Sequence, residues 1–124
     1  MITLKEALAI HQMAIDRFGG VNGIRDMGLL ESALQRPWSA FDGKELYPTT
    51  LEKSAALIES LIKNHPFSDG NKRTGYILMR LLLLKSGLDI TASENEKHDF
   101  VLGIASGTFD YEQIKLWLEK KLVK

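Results

Sequence analysis

The segment NHPFSDGNKRT, residues 64–74, lies between the two most apolar stretches of the chain. Residues 51–62 place apolar side chains at helical spacing, and residues 76–84 are apolar almost throughout. This pattern predicts two helices joined by a short polar loop. Because Pro66 disfavours helical backbone at the residue before it, we expect the first helix to end just before His65. The second helix should begin near Asn71.

The start of the second helix has the features of an anion-binding site. The first N–H groups of a helix have no intrahelical acceptor, and the helix dipole adds about half a positive charge at that end. Gly70 lets a ligand approach the backbone closely, while Lys72 and Arg73 bring two cations. We therefore predict phosphate binding at Gly70, Asn71, Lys72 and Arg73. The Asn71 side chain would either orient the loop or bond a phosphate oxygen.

Four further side chains complete the predicted loop. His65 is its one group that accepts a proton near neutral pH. A carboxylate such as Asp69 repels a nearby phosphate unless a hard cation lies between them, which predicts Mg²⁺ at Asp69. Pro66 and Phe67 are predicted to anchor the loop, with Phe67 buried beneath it. No Ser or Cys has a partner that suggests a covalent intermediate, so direct group transfer fits these residues best.

Composition favours one globular domain over residues 1–124, with 44% hydrophobic and 26% charged residues. Sixteen Lys+Arg balance sixteen Asp+Glu, which argues against direct binding to nucleic acid or to an anionic membrane. The absence of cysteine suits a reducing cytoplasm. The first residues do not resemble a signal peptide, and the longest apolar block is far shorter than the roughly 20 residues that span a bilayer.

The remaining patterns predict an all-α bundle of about six helices. Expected N-terminal caps are Thr3 with Glu6, Asp26, Thr49 or Thr50, Ser93 with Glu96, and Asp110. The helix from Asn71 to Ser86 is apolar nearly all round, so we expect it at the centre of the bundle. His11 lies on an apolar stripe without a partner at i+4, and is interpreted as a core residue. Arg25 is interpreted as a surface arginine.

One short segment departs from the helical pattern. An Asp-Gly pair lies between residues of alternating polarity, which is typical of a hairpin turn, although an ordinary connecting loop remains open on sequence alone. The hairpin would form a small flap that holds an extended target segment against its edge strand. The predicted flap residues are Phe41, Asp42, Gly43, Lys44, Glu45, Leu46 and Tyr47.

The residues from His65 to Arg73 match the Fic-family pattern H-P-F-x-[DE]-G-N-x-R. Lys72 fills the variable place as in Doc-type (death-on-curing) toxins, where AMP-transferring Fic proteins commonly have glycine. The resemblance extends over most of residues 19–90. It includes Gly19-Gly20, Gly23-Ile24-Arg25-Asp26, Leu29-Leu30-Glu31-Ser32-Ala33-Leu34, Arg36-Pro37 and Tyr47-Pro48-Thr49.

This resemblance implies a Fic-fold bundle with a flap over the active site. It implies an ATP- and Mg²⁺-dependent enzyme in which His65 takes the proton of a Ser or Thr hydroxyl. The γ-phosphate would pass to a translation elongation factor, inhibiting translation. No [ST]-x-x-x-E-[GN] inhibitory helix is found, so restraint would come from a separate antitoxin.

Two other functions stay open on sequence alone. The first is AMP transfer to a protein hydroxyl, against which stand the bulk of Lys72 and the presence of Tyr76 where AMP-transferring relatives have a second arginine. The second is a non-catalytic helical binding module.

Overall fold

The computed structural model describes residues 1–123, so that Lys124 lies outside the described residues. Within this range the chain forms six α-helices and one two-stranded hairpin, which confirms the predicted fold class. None of the helices described is long and apolar enough to cross a membrane. In chain order the elements are α1 (Leu4–Phe18), α2 (Met27–Gln35), a 3₁₀ turn (Arg36–Trp38), β1 (Ala40–Phe41), β2 (Lys44–Glu45), α3 (Thr50–Asn64), α4 (Asn71–Lys85), α5 (Glu94–Ser106) and α6 (Tyr111–Lys121).

The helices begin where the capping pattern predicts. Thr3, Thr49 and Ser93 each accept the N–H of a glutamate three residues on, whose carboxylate bonds back to the cap backbone. Asp110 forms the same reciprocal pair with Gln113, and Asp26 accepts the N–H of Leu29. Each cap satisfies N–H groups that the helix itself leaves without an acceptor. Of the two threonines that the sequence left open, Thr49 is the cap.

The central helix is α3, and the prediction that the Asn71–Ser86 segment would occupy the centre is wrong. Every residue from Lys53 to Ile62 is buried, whereas Leu84 of α4 is 50% exposed. One face of α3 packs with α4, α5 and α6 around Phe100, and another packs with α1, α2 and α4 around Leu30. The error arose because α3 carries Lys53, Glu59 and Ser60 on its buried faces, and only their partners outside the helix make that burial possible.

The flap is a hairpin, as predicted. Ala40 pairs with Glu45 and Phe41 with Lys44 in antiparallel register. Asp42 and Gly43 both adopt positive φ, 52° and 75°, which is the backbone that a two-residue hairpin turn requires. In the sequence the two strands lie between the 3₁₀ turn and α3, so the flap leads directly into the central helix.

Glu6 connects the start of α1 to the end of α4. Its carboxylate is 2.8 Å from Lys85 Nζ and also accepts the N–H of Thr3. These contacts, led by the hydrogen bond from Lys85, lower the pKa of Glu6 to about 2. Because the pKa in the folded protein lies below that in the unfolded chain, the stabilisation is present above the unfolded value and is lost as pH falls toward about 2.

We expect Glu6→Gln to lower the free energy of unfolding near neutral pH and to have no effect once the pH approaches the folded pKa of Glu6. Urea unfolding of both proteins across the acid range measures this difference. Glu112→Gln is the control, because the Glu112 side chain is 71% exposed and lies 4.0 Å from Lys115. A difference between parent and Glu6→Gln that stays constant with pH would contradict the prediction.

Candidate active site

The loop between α3 and α4 begins and ends with a left-handed residue. His65, at the C-terminal end of α3, has φ 48° and ψ 57°, and its side chain is exposed. Gly70, at the N-terminal end of α4, has φ 76° and ψ 17°. Left-handed backbone is common for glycine but costs a histidine about 1–2 kcal/mol. Contacts elsewhere in the fold therefore have to hold His65 in place.

Arg25 supplies part of that restraint. Its Nε donates to the His65 carbonyl and its Nη2 donates to the Asn64 carbonyl, each at 2.6 Å. The helix provides no N–H partner for carbonyls at its C-terminal end, and a cation is favourable beside them. Arg25 is exposed, as the interpretation of a surface arginine expected, but its contacts with the loop were not predicted. Its side chain fixes the backbone that carries the predicted base.

A short backbone pairing holds the middle of the loop. The Ser68 N–H donates to the Gly23 carbonyl at 3.0 Å, and the Pro66 carbonyl accepts the N–H groups of Arg25 and Asp26. Ile24 and Phe67 form an antiparallel bridge. The segment that follows α1 thus pairs with the loop through its backbone and holds it in place.

Phe67 lies under the loop and packs on a histidine. Its side chain is 1% exposed, and its ring stacks on the His11 imidazole with 3.8 Å between centroids and 5° between planes. His11 is itself 3% exposed, and its Nε2 is 2.9 Å from the Asp69 carbonyl oxygen. A carbonyl only accepts, so this contact requires the tautomer with hydrogen on Nε2. His11 is a core residue, as interpreted, but it also holds the backbone of Asp69.

Asn71 closes the loop on itself. Its Oδ1 accepts the Phe67 N–H and its Nδ2 donates to the Phe67 carbonyl, both at 3.0 Å. The residue is 8% exposed, so these bonds satisfy groups that burial would otherwise leave unpaired. Of the two roles considered for the Asn71 side chain, the structure gives it the orientation of the loop. Its backbone N–H is free at the N-terminal end of α4, where an anion would bind.

The Asp69 carboxylate is fixed from two directions and faces solvent. One oxygen accepts the Val21 N–H at 3.1 Å and the other accepts the Gly70 N–H at 2.8 Å. These bonds lower the pKa of Asp69, and the charge of Lys72 adds to the effect. A Cβ at Gly20 would lie 2.8 Å from the nearer carboxylate oxygen, so a larger residue there would displace Asp69. The carboxylate is therefore ionised and held in one orientation.

The start of α4 is open to an anion. Among residues 1–123, the N–H groups of Asn71, Lys72 and Arg73 have no acceptor, because the helix provides none for its first turn. The side chains of Lys72 and Arg73 are exposed at the same end of α4. The Arg73 guanidinium lies 3.9 Å from the centre of the Phe18 ring, a cation–π contact that restricts its position. This end of the loop offers backbone donors and two positive charges.

These groups suit a magnesium–nucleotide complex better than a bare metal ion. No cluster of three or more metal-binding side chains exists in the part of the chain that the structure describes. Mg²⁺ keeps several water ligands and binds through one or two carboxylates together with phosphate oxygens. Asp69 supplies one ionised carboxylate beside free N–H donors, which fits Mg²⁺ that arrives on a phosphate chain.

An open groove of about 830 Å³ lies between α2, the 3₁₀ turn and α3. Its lining includes Asn64, next to His65, and Ser39, next to β1 of the flap. The groove therefore reaches the residues that adjoin the predicted base and the flap. The complete lining is Gly28, Glu31, Ser32, Gln35, Arg36, Trp38, Ser39, Ser60 and Asn64.

Sequence reasoning missed three residues that shape this site, namely Arg25, His11 and Gly20. Each lies about 40 residues or more before the group that it contacts. The signal for Gly20 was its place in a Gly-Gly pair that ends α1. Arg25 and His11 carried no local signal, because their partners are backbone carbonyls.

The chain is similar in sequence to known proteins. The model of the Fic/DOC family matches residues 1–83. The protein named Toxin Doc from Mycolicibacterium smegmatis is 35% identical over 99 residues, which cover 78% of this chain and 76% of that protein. Protein kinase doc of Escherichia phage P1 is 29% identical over 113 residues, covering 91% of this chain and 88% of that protein. The family match includes the whole loop from His65 to Arg73 together with the segment that supports it, and the chain belongs to the Fic/DOC family.

Proposed function

We propose that this protein is a Doc-like toxin that transfers the γ-phosphate of ATP to a Ser or Thr hydroxyl of a target protein, with residues 1–124 as one domain. The observation that carries the proposal is the arrangement of three groups on one rigid loop. An exposed histidine lies at one end, a fixed carboxylate in the middle and the unpaired N–H groups of α4 at the other end. The names Toxin Doc and Protein kinase doc of the two relatives support the toxin and kinase parts of this proposal.

His65 is the proposed general base. It would take the proton from the incoming hydroxyl, a step worth roughly 10²–10⁴ in rate. Its exposed ring and restrained backbone suit this role, since Arg25 holds the carbonyl of the same residue at 2.6 Å. The histidine can then reach a substrate from solvent without moving the loop.

The proposed binding site for ATP lies at the opposite end of the loop. The free N–H groups of residues 71–73, with the Lys72 and Arg73 side chains, would bind and orient the phosphate chain and stabilise its developing charge, while Gly70 leaves room for its approach. Asp69 would hold Mg²⁺, which supplies further neutralisation of the phosphates when bound. The lowered pKa of Asp69 supports this assignment, because an ionised carboxylate is the form that binds a metal.

The flap is the proposed docking site for the target protein. Residues 41–47 would pair with an extended target segment, and the groove beside Asn64 gives that segment a path toward His65. By the resemblance of its sequence, the target is a translation elongation factor. A cognate antitoxin, whose tail is disordered alone and folds on binding, would restrain the enzyme through the same groove.

Two residues favour phosphate transfer over AMP transfer. Lys72 is exposed at the start of α4, where its side chain takes space that glycine would leave for terminal phosphates. Tyr76, at the place of the second arginine, packs edge-on against Phe100 with 6.4 Å between ring centroids. An arginine contact to terminal phosphates is therefore replaced by a core contact, and the proposed orientation of the nucleotide brings the γ-phosphate to His65.

Incubating the protein with an elongation-factor extract and ATP labelled at either the α- or the γ-phosphorus distinguishes the two reactions. We expect protein-bound label from the γ position only. Label from the α position would replace the proposal by AMP transfer. No label from either position, with normal ATP binding, would favour the non-catalytic binding module.

In the same assay Lys72→Gly should gain some α label, because it removes the side chain that obstructs the alternative orientation.

His65→Asn should lower the transfer rate by about 10²–10⁴, since asparagine tolerates left-handed backbone but cannot act as the base. Expression of the parent should arrest growth, whereas this variant should not. His98→Asn is the matched control, because His98 is exposed on α5 outside the loop. Equal toxicity of the parent and His65→Asn would contradict the role of His65.

Asp69→Asn should weaken ATP binding about tenfold in the presence of Mg²⁺, because the loss of one carboxylate ligand costs on the order of 1.4 kcal/mol. In EDTA the variant should bind ATP at least as well as the parent, since the carboxylate then only repels phosphate. Calorimetric titration measures both affinities, with the exposed Asp99→Asn as control. Equal ATP binding by the parent with Mg²⁺ and with EDTA would contradict the metal role.

A further inference from the structure

The flap has little to hold it in place by itself. Its two strands have two residues each, all four of which are exposed. An isolated two-stranded hairpin is only marginally stable in water. The position of the flap must therefore come from contacts that its own strands do not make.

Those contacts come mainly from Lys53 on α3. Its side chain is only 10% exposed, and Nζ donates to Glu45 Oε1 at 3.0 Å and to the Tyr47 carbonyl. The same ammonium lies 5.8 Å from the centre of the Trp38 ring. A buried ammonium is costly unless it is paired, and here both of its hydrogen-bond partners belong to the second half of the flap. Lys53 thus connects β2 and its exit to the central helix.

Arg36 holds the same segment from the other side. Its Nε donates to the Tyr47 hydroxyl at 3.1 Å, while its NH1 bonds to Ser60 Oγ and lies 2.9 Å from Glu59. Tyr47 is therefore held by its carbonyl through Lys53 and by its ring hydroxyl through Arg36. Buried Lys53 and half-buried Arg36 fix the base of the flap, and its tip, with Phe41 77% exposed, is left free.

We propose that Lys53 is a positioning residue that sets the affinity for the protein target and leaves ATP binding and the chemical step unchanged. The inference rests on the proposed function, in which the flap docks the target. An edge strand that is already ordered binds an extended segment without first losing conformational entropy. If the flap loses its attachment, that entropy is lost on binding and the target binds more weakly. The loop from His65 to Arg73 has its own supports and is not affected.

The test compares Lys53→Met with Lys85→Met. The control has the same chemistry, because Lys85 Nζ donates to the Glu6 carboxylate and to the Met1 carbonyl, both at 2.8 Å. Its partners lie at the start of the chain and not in the flap. Both variants lose one lysine that bonds a carboxylate and a carbonyl, so a general loss of stability affects both.

Two measurements are made on each variant. Hydrogen exchange reports whether the flap opens, through amides such as that of Leu46, which donates to the Ser39 carbonyl at 3.0 Å. Steady-state kinetics on the acceptor protein of the labelling assay, with calorimetric ATP binding, separates KM for the target from kcat. For Lys53→Met we expect faster exchange in residues 40–47, KM for the target raised roughly tenfold, and kcat and ATP affinity unchanged. That change corresponds to about 1.4 kcal/mol. Lys85→Met should change none of these.

The outcomes separate the inference from the proposed function. Unchanged exchange in Lys53→Met would overturn the role of Lys53, whether or not the protein proves to be a kinase. Faster exchange with an unchanged KM would overturn the link between flap order and target affinity. A fall in kcat or in ATP affinity would show that Lys53 supports the whole site. If Lys53→Met does not fold, Tyr47→Phe removes only the hydroxyl bonded to Arg36, and must then show the same increase in exchange and KM.

Discussion

The backbone of the loop between α3 and α4 is held by groups that lie outside it, and the site depends on this restraint. His65 adopts a left-handed conformation that a histidine does not favour, and Arg25 binds its carbonyl oxygen. Asn71 and His11 then fix the peptide groups of Phe67 and Asp69. Each of these bonds removes a freedom of the loop before any ligand arrives. Preorganisation of this kind is what allows fixed dipoles to stabilise charge without a reorganisation cost.

The charges of the site are divided between fixed and adjustable groups. The Asp69 carboxylate is held by the N–H groups of Val21 and Gly70, and the free N–H groups of α4 are fixed by the helix backbone. Lys72 and Arg73 are exposed side chains, although Arg73 is restricted by the Phe18 ring. A phosphate chain would therefore meet a rigid set of donors and two cations that adapt to it. This division suits transfer reactions, in which the charge on phosphate oxygens changes during the step.

The flap and the loop are attached to the same helix by different means. The loop continues directly from α3 at Asn64, whereas the flap is tied to α3 through the side chains of Lys53 and Arg36. Burial of Lys53, Glu59 and Ser60 on α3 follows from this arrangement, since each has a partner outside the helix. The helix α3 thus carries the connection between the proposed docking and chemical parts of the molecule.

The sequence alone determined where the helices start, where the Asp-Gly hairpin lies and which chemical groups the loop contains, because these features depend on residues that are close together in the chain. Thr3, Ser93 and Asp110 each cap a helix through a residue three positions away, and such contacts can be read directly from the chain. Tertiary structure alone decided which helix is central and what Arg25, His11 and Lys53 do. The bonds of Arg25 and His11 span 40 and 58 residues, and their partners are backbone carbonyls. Every residue has such a carbonyl, so no side-chain pattern marks these partners until the fold brings them together.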